Sequence, residues 1–527
     1  MVAASRRKSM YEKPVLALAP ASRNHSLGHS QIITPFVALQ QSLSPCRRGG
    51  IIMSTPMVKV IGPVSRILRT ILTDGVQTAR QGGQARLVSY CSRFSVVDPL
   101  AFFERGQFIS RERFYWERAT DQIALVGVGA VQVVCLHGPG RFDDAALAWR
   151  RLMNDALVLA DAPSALAAGP VMVGGFAFEP EDGAGPIWDG FPAGRFTVPR
   201  LMLTRQGQES WLTFNALVNG DDDPDALVNL LLQQAERLET SNDNVQIEKL
   251  VSSEIVETAD ARASAWKALV GKTAAAARRG AVEKVVLARA ESIIANQVFQ
   301  PGPVLGRLRA EYPGCTVFAV DRGQACFLGA SPERLVQLRE GEVSVSCLAG
   351  TTGRGKTSVE DAQLGAELLA SLKNRVEHAV VVRILRESVG NLCREVTVPD
   401  RPVLMKVRNV QHLYTPLSGH LRPDYTLLDV VQRLHPTPAV GGFPRDVALD
   451  LIRHAEGLDR GWYAGPVGWI DQRGNGDFAV AIRSALLRGS EAVLFSGCGI
   501  VADSDPDAEY EESCLKLQPM RSALRAS

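Results

Sequence analysis

The stretch ACFLGASPERLVQLREGEVSVSCL, residues 325–348, decides the fold class. Ala325–Gly329 reads as a strand, Ser331-Pro332-Glu333 as a turn, Arg334–Leu338 as a strand, Glu340-Gly341 as a hairpin and Val343–Leu348 as a third strand. Such short connections imply antiparallel pairing, because parallel strands need a crossover of about a dozen residues or more. Downstream, apolar periodicity predicts a long helix over about Val359–Leu385, and a C-terminal helix has Asp505 as N-cap with Pro506 at its first position. Upstream, an Ala-rich helical stretch over 258–279 is closed by Gly280, and the strand Lys284–Ala290 follows, with Lys284, Val286 and Ala288 on one face. From about residue 60 to 240, β-branched runs alternate with helix-like stretches such as Arg141–Ala160 and Pro224–Ser241, before the polar patch Thr240–Asn244. Hairpins interspersed with long helices predict an α+β fold, with layered antiparallel β-sheets packed by helices in a single large domain, rather than a doubly wound parallel sheet. Its parts are expected to be 56–245 and 246–527, after an extension over 1–55.

The 527 residues carry 58 Lys+Arg against 56 Asp+Glu, with 46% apolar and 22% charged residues, the composition of a folded globular protein. The formal charge of +2 divides unevenly. Residues 1–50 hold seven bases (Arg6, Arg7, Lys8, Lys13, Arg23, Arg47, Arg48) and one acid, Glu12, leaving 51 bases against 55 acids in the rest. A mildly acidic body argues against a nucleic-acid partner. The longest uncharged apolar stretch, Ile123–Leu136, is interrupted by Gly127, Gly129 and Gln132 and is too short to cross a bilayer, so no membrane span is expected. Val15–Ala19 falls below the roughly 7–15 apolar residues of a signal-peptide core, so the basic extension reads as disordered, with Met53 as a candidate start. Nine cysteines without a C-x-x-C pair, several in apolar contexts such as Val133-Val134-Cys135-Leu136, predict reduced, buried thiols in a cytoplasmic protein.

On the C-terminal helix Glu509, Glu512 and Lys516 share a face, and on the preceding long helix Lys373 and Glu377 stand four apart. A solvated ion pair is the ordinary meaning of such patterns. Glu377, however, adjoins His378 and the apolar run Ala379–Val382. Two carboxylates from two helices suit Mg²⁺, which takes oxygen ligands and keeps several waters. Lys284, at the start of an apolar strand, is a candidate general base if its charged form is disfavoured there, and otherwise a strand-end lysine reaching solvent. Glu333 is a candidate general acid if burial raises its pKa, and otherwise a turn residue paired with Arg334. Arg483, ending the apolar run Phe478–Ile482, could clamp a carboxylate.

Residues 350–357, GTTGRGKT, satisfy the phosphate-binding pattern G-x-x-x-x-G-K-[ST] between a strand and a helix. No parallel βαβ series surrounds it, and no apolar strand ending in a metal-binding Asp follows. A nucleotide hydrolase is thus the rival reading, and a glycine loop approaching a small anion or carboxylate the favoured one.

Several segments, in order, resemble the chorismate-utilising enzymes, the family of anthranilate, aminodeoxychorismate, salicylate and isochorismate synthases. They are Glu283–Arg289, Gly329–Leu335, Leu348–Thr351, Lys373–His378, His435–Val440, Arg460–Gly468, and Gly497–Val501 running into Glu509–Lys516. The resemblance spans roughly residues 90–520. Lys284 stands where ammonia-adding members carry Gln, and His435-Pro436-Thr437 is similar to isochorismate synthases, as are Phe114–Glu117, Gly175–Phe178 and Phe196–Arg200. The resemblance implies that Lys284 takes a proton from water attacking C2 of chorismate while Glu333 donates one to the departing C4 hydroxyl. It implies Mg²⁺ on Glu377 and Glu512, helped by Glu509. Arg483 and Tyr463 would hold the enolpyruvyl carboxylate, with the backbone of Gly350, Thr351 and Gly499 and the ammonium of Lys516 around the anions. His412 and the Thr351 side chain are further implied pocket residues. The product is expected to serve menaquinone biosynthesis, with a catechol siderophore as the alternative, and the expected state is a monomer. Salicylate synthase is the alternative within the family, against which the His435-Pro436-Thr437 segment argues, and a catalytically dead binding relative is an alternative of another class.

Overall fold

The computed structural model describes residues 61–181, 185–239, 255–259, 262–408 and 410–525. The expectations for 1–55, for Met53 and for the boundary near 245 lie outside these residues.

Two large sheets form from strands that end where Gly, Pro or polar turns interrupt β-branched runs. The first has thirteen strands, in the order Ile255–Ala259, Lys284–Ala295, Glu491–Ile500, Ser484–Arg488, Cys326–Ser331, Thr316–Asp321, Arg113–Arg118, Ile123–Val128, Leu201–Gln206, Glu209–Val218, Arg86–Arg93 and Leu157–Ala160, with Gly442-Phe443 also on the Lys284 strand. The second has ten: Cys393–Thr397, Val410–Leu421, Glu342–Gly353, Arg334–Arg339, Gly476–Val480, Pro466–Asp471, Val171–Phe176, Gly194–Val198 and Gln132–Leu136, with Val403–Lys406 on the Val410 strand. Among the described residues the pairs are antiparallel except Arg86–Arg93 with Leu157–Ala160. Inner faces of both sheets contribute Trp116, Phe196, Phe318, Phe327, Trp469 and Phe478 to one core cluster. A second cluster joins the outer face of the larger sheet to Ile61–Gly82, Pro99–Gly106, Pro224–Glu239, Pro301–Glu311 and Pro506–Leu524. This is the expected α+β layering. N- and C-terminal parts interleave, since Arg113–Arg118 pairs with Thr316–Asp321 and Val171–Phe176 with Pro466–Asp471.

Four local expectations are corrected. The strands either side of Ser331-Pro332-Glu333 do not pair: Cys326–Ser331 belongs to the first sheet and Arg334–Arg339 to the second. Pro332 has no N–H for either ladder, and the chain passes between layers there. The helix expected over Val359–Leu385 is two helices, Ser358–Ala370 and Leu372–Gly390. Ser371 is extended (φ −62°, ψ 110°) and its hydroxyl accepts from the Asn374 amide, capping the second helix. The helix from Arg141 stops at Asn154, and Leu157–Ala160 is a strand. Cys135 is exposed on the edge strand Gln132–Leu136, whereas Cys91, Cys315, Cys326, Cys347, Cys393 and Cys498 are buried and free. Among the described residues no helix is long and apolar enough to cross a membrane.

Candidate active site

Lys284 opens the Lys284–Ala295 strand, opposite Phe443. Its side chain is 18% exposed and donates from Nζ to Glu377 Oε1 at 2.9 Å. The lysine therefore has a carboxylate partner in place of the apolar surroundings expected of it, and Glu377 pairs with Lys284 rather than with Lys373. Gly499 lies beside it on the neighbouring strand: a Cβ there would stand 2.5 Å from Lys284 Cε. The glycine thus leaves room for the lysine stem, a steric role that its expected backbone contact did not anticipate.

Glu333 sits at the crossover between the sheets and is 8% exposed. Burial pushes its carboxyl up to about 7, against the opposing pull of Arg483, Lys284 and the Thr437 hydroxyl. Ser331 Oγ accepts from the Glu333 amide at 3.2 Å and donates to the Val480 carbonyl at 2.6 Å, and the Val480 amide donates to the Glu333 carbonyl at 3.1 Å. The ion pair with Arg334 does not form. Arg334 instead donates to Asp477, at 2.9 Å from Nη2, and to Asp121.

Arg483 lies between Gly476–Val480 of the second sheet and Ser484–Arg488 of the first, at another crossover, rather than at the end of a strand. Its φ is +53°, a left-handed conformation uncommon for a bulky residue. Its charge acts on Glu333, His412, Tyr463, Glu512 and Cys498, which places it among these groups. Tyr463 is buried and stacks on Phe495 at 5.3 Å, and burial raises its phenol. His412 faces Thr351 across the ladder, with Nδ1 2.8 Å from Thr351 Oγ1. Burial, then Arg483 and Lys516, push His412 down to about 4, so the ring is neutral at pH 7. Gly350, at φ +77°, makes the bulge between Ala349 and Thr351, and a Cβ there would lie 3.2 Å from the Asn374 Cβ.

The C-terminal helix presents the remaining carboxylates. Lys516 Nζ is 2.6 Å from Glu512 Oε1 and donates to the Gly497 carbonyl at 2.9 Å. Burial would raise Glu512, but Lys516, Arg483 and Lys284 outweigh it and hold the carboxylate low. Burial raises Glu509, whose Oε1 accepts from Ser504 Oγ at 2.7 Å. One potential ligand atom from each of Cys498, Glu509 and Glu512 lies within 4.8 Å of the others. Glu377, on the other helix, is not part of that group and shares with Glu512 only the field of Lys284; carboxylate oxygens are the donors a hard cation takes.

The phosphate-loop match has a structural account. Gly350–Gly353 ends a strand of an antiparallel pair, and the Gly355 amide donates to Asp361 Oδ1 at 3.1 Å. Arg354 Nε and Lys406 Nζ also bind this carboxylate, at 2.6 and 2.7 Å. The protein's own Asp361 fills the place an anion would take, and the nucleotide-hydrolase reading has no support.

Thr437, Asn374, Ser504 and Cys498 were not read from sequence as site residues. Thr437 stood within the quoted His-Pro-Thr segment, and its hydroxyl lies 3.5 Å from Glu333 Oε1. Asn374 and Cys498 likewise stood within the quoted segments Lys373–His378 and Gly497–Val501, and Ser504 meets the site only through tertiary packing.

This chain belongs to the chorismate binding enzyme family, whose model matches residues 74–525. It is 38% identical over 471 residues to the isochorismate synthase MenF of Bacillus subtilis, covering 88% of this chain and 99% of that protein. It is 38% identical over 446 residues to the salicylate biosynthesis isochorismate synthase of Pseudomonas aeruginosa, covering 84% and 90% respectively. The structure of MenF, the menaquinone-specific isochorismate synthase from Escherichia coli, matches with a TM-score of 0.69 at 26% identity, over 87% of this chain and 100% of that one.

Proposed function

We propose that this protein is an isochorismate synthase, an isomerase that adds water at C2 of chorismate and expels the C4 hydroxyl. The observation that carries the reading is the Glu333 carboxyl, held near 7 by burial beside Lys284 and Arg483. A carboxyl poised near neutral pH can donate a proton where a solvated one could not. In this reading Lys284 acts from its neutral form, having lost to solvent the proton it otherwise shares with Glu377 Oε1; Nζ accepts the proton of the incoming water, and Glu333 protonates the C4 hydroxyl as it leaves as water. Arg483 and Tyr463 hold the enolpyruvyl carboxylate, while the Gly350-Thr351 bulge, Gly499, His412 and Lys516 line the remaining polar boundary. His412, being neutral, offers hydrogen bonds to the substrate without adding charge. Glu377, Glu512 and Glu509 are the residues that would hold Mg²⁺, which would supply positive charge to the ring carboxylate.

The curated relatives named above support this assignment, and their names refer to both salicylate biosynthesis and MenF. We assign the product to menaquinone biosynthesis, on the likeness to the menaquinone-specific enzyme over the whole of that chain. Incubation with chorismate and Mg²⁺, followed by chromatography, tests the reaction. Isochorismate is the expected product. Salicylate with pyruvate would move the assignment to salicylate synthase, and absence of turnover would remove it.

A further inference from the structure

Behind the two glutamates of the C-terminal helix lies a thiol. Cys498 is buried on the Glu491–Ile500 strand, opposite Leu287. Its Sγ donates to the Glu509 main-chain carbonyl at 3.3 Å and lies 3.7 Å from Lys516 Nζ. The ligand atoms of Cys498, Glu509 and Glu512 fall within 4.8 Å of one another. Mg²⁺ has no use for such a sulfur, since it takes oxygen ligands at about 2.0–2.1 Å and is reluctant to lose water. Zinc has a use for it, binding thiolate sulfur at about 2.3 Å and carboxylate oxygen at about 2.0–2.2 Å. Ligands in a tetrahedral zinc site stand about 3.5 Å apart, so three groups within 4.8 Å of one another must close by up to about 1.3 Å to bind the ion. Glu512 is exposed and can rotate to complete it.

We propose that Cys498 makes this metal site thiophilic. Zinc, or cobalt as its spectroscopic substitute, binds across Cys498 Sγ, Glu509 and Glu512, and so withholds both carboxylates from Mg²⁺. On binding, the S–H bond breaks, the proton passes to solvent, and the sulfur–metal bond forms with no change of oxidation state. The incoming ion displaces Lys516 from Glu512. Zinc is then a reversible inhibitor that competes with Mg²⁺. The inference rests on the proposed reading of Glu509 and Glu512 as metal ligands.

Two measurements on the full chain test it. Titration with Co²⁺ is expected to produce a near-ultraviolet thiolate-to-cobalt charge-transfer band saturating at one ion per chain, absent in Cys498→Ala. No band, or an equal band in the variant, would overturn the proposal. This readout needs no turnover, so it stands apart from the chorismate assay: a band in a protein inert to chorismate would remove the functional assignment and leave the site. In the chorismate assay, raising Mg²⁺ should relieve zinc inhibition. The zinc concentration that halves the variant's own Mg²⁺-supported rate should rise by about 10- to 100-fold, the usual cost of losing a metal-site partner. Equal sensitivity of variant and wild type would contradict the proposal. Circular dichroism and thermal melting establish that the variant folds, and Cys498→Ser replaces it if Cys498→Ala does not.

Discussion

Glu333 and Arg483 occupy adjacent crossovers between the two sheets. Gly329 pairs with Ser484 in the first sheet and Arg334 with Ala479 in the second, so the chain leaves one layer at Glu333 where it enters from the other at Arg483. The crossovers bond to each other: the Ala330 amide donates to the Arg483 carbonyl at 3.1 Å and the Val480 amide to the Glu333 carbonyl at 3.1 Å. An acid and a cation are thereby fixed side by side by backbone rather than by loop side chains. That rigidity keeps the carboxyl out of water, where its pKa would fall.

Glu333→Gln is expected to lower kcat by about 10²–10⁴, the usual contribution of a positioned acid. In the wild type kcat/KM should decline as pH rises through about 7, where the Glu333 carboxyl loses its proton. Stability should follow the same sign. The folded value lies above the unfolded value of about 4.3, so the protonated carboxyl's contribution is complete below pH 4.3 and is lost as pH rises through about 7. Chemical denaturation at pH 5 and pH 8 should show the variant gaining on wild type at the higher pH, by an amount on the order of 3 kcal/mol at most.

Gly499→Ala places a methyl group 2.5 Å from Lys284 Cε, a flexible stem that can move aside. The melting temperature should change little, whereas kcat should fall by about a hundredfold through misplacement of Nζ. Normal turnover by this variant would detach Gly499 from the base, and normal turnover by Lys284→Ala would detach the base from catalysis.

Arg334→Ala should unfold the protein more readily without a specific effect on chemistry. Asp477 is buried and would lose its guanidinium, a change that costs about 3–5 kcal/mol when a buried pair is broken. Urea denaturation gives the loss, and the surviving folded fraction should retain the wild-type KM.

Chelation with EDTA is expected to abolish turnover, and added Mg²⁺ to restore it. Glu512→Gln should raise the Mg²⁺ concentration needed for half-maximal rate by about 10- to 100-fold. Magnesium titrations of the two proteins make the comparison.

Strand positions near the site were legible because period-two runs end at Gly and Pro, as at Lys284 and around Ser331-Pro332-Glu333. The passage of Pro332-Glu333 between sheets was not, because the partners that define it, Ser484 and Ala479, are remote in sequence. Lys284 was legible as a candidate base, while its carboxylate partner, 93 residues away, has no local signal. The break at Ser371 went unread because an apolar helical period ran through it and the cap Ser371-x-x-Asn374 is a weaker pattern than that period. The steric role of Gly499 beside Lys284 and the place of Cys498 behind the C-terminal helix emerge only when the Lys284 strand and that helix pack against their strand.

The central claim is that solvent water enters at C2 with Lys284 as base and Glu333 as acid. Turnover of chorismate in H₂¹⁸O with Mg²⁺, followed by mass spectrometry of the product, tests it most directly. Isochorismate carrying ¹⁸O in its C2 hydroxyl, with no product from Lys284→Ala, is the predicted result. Isochorismate without the label would mean that the hydroxyl migrates within the substrate, and would contradict the account.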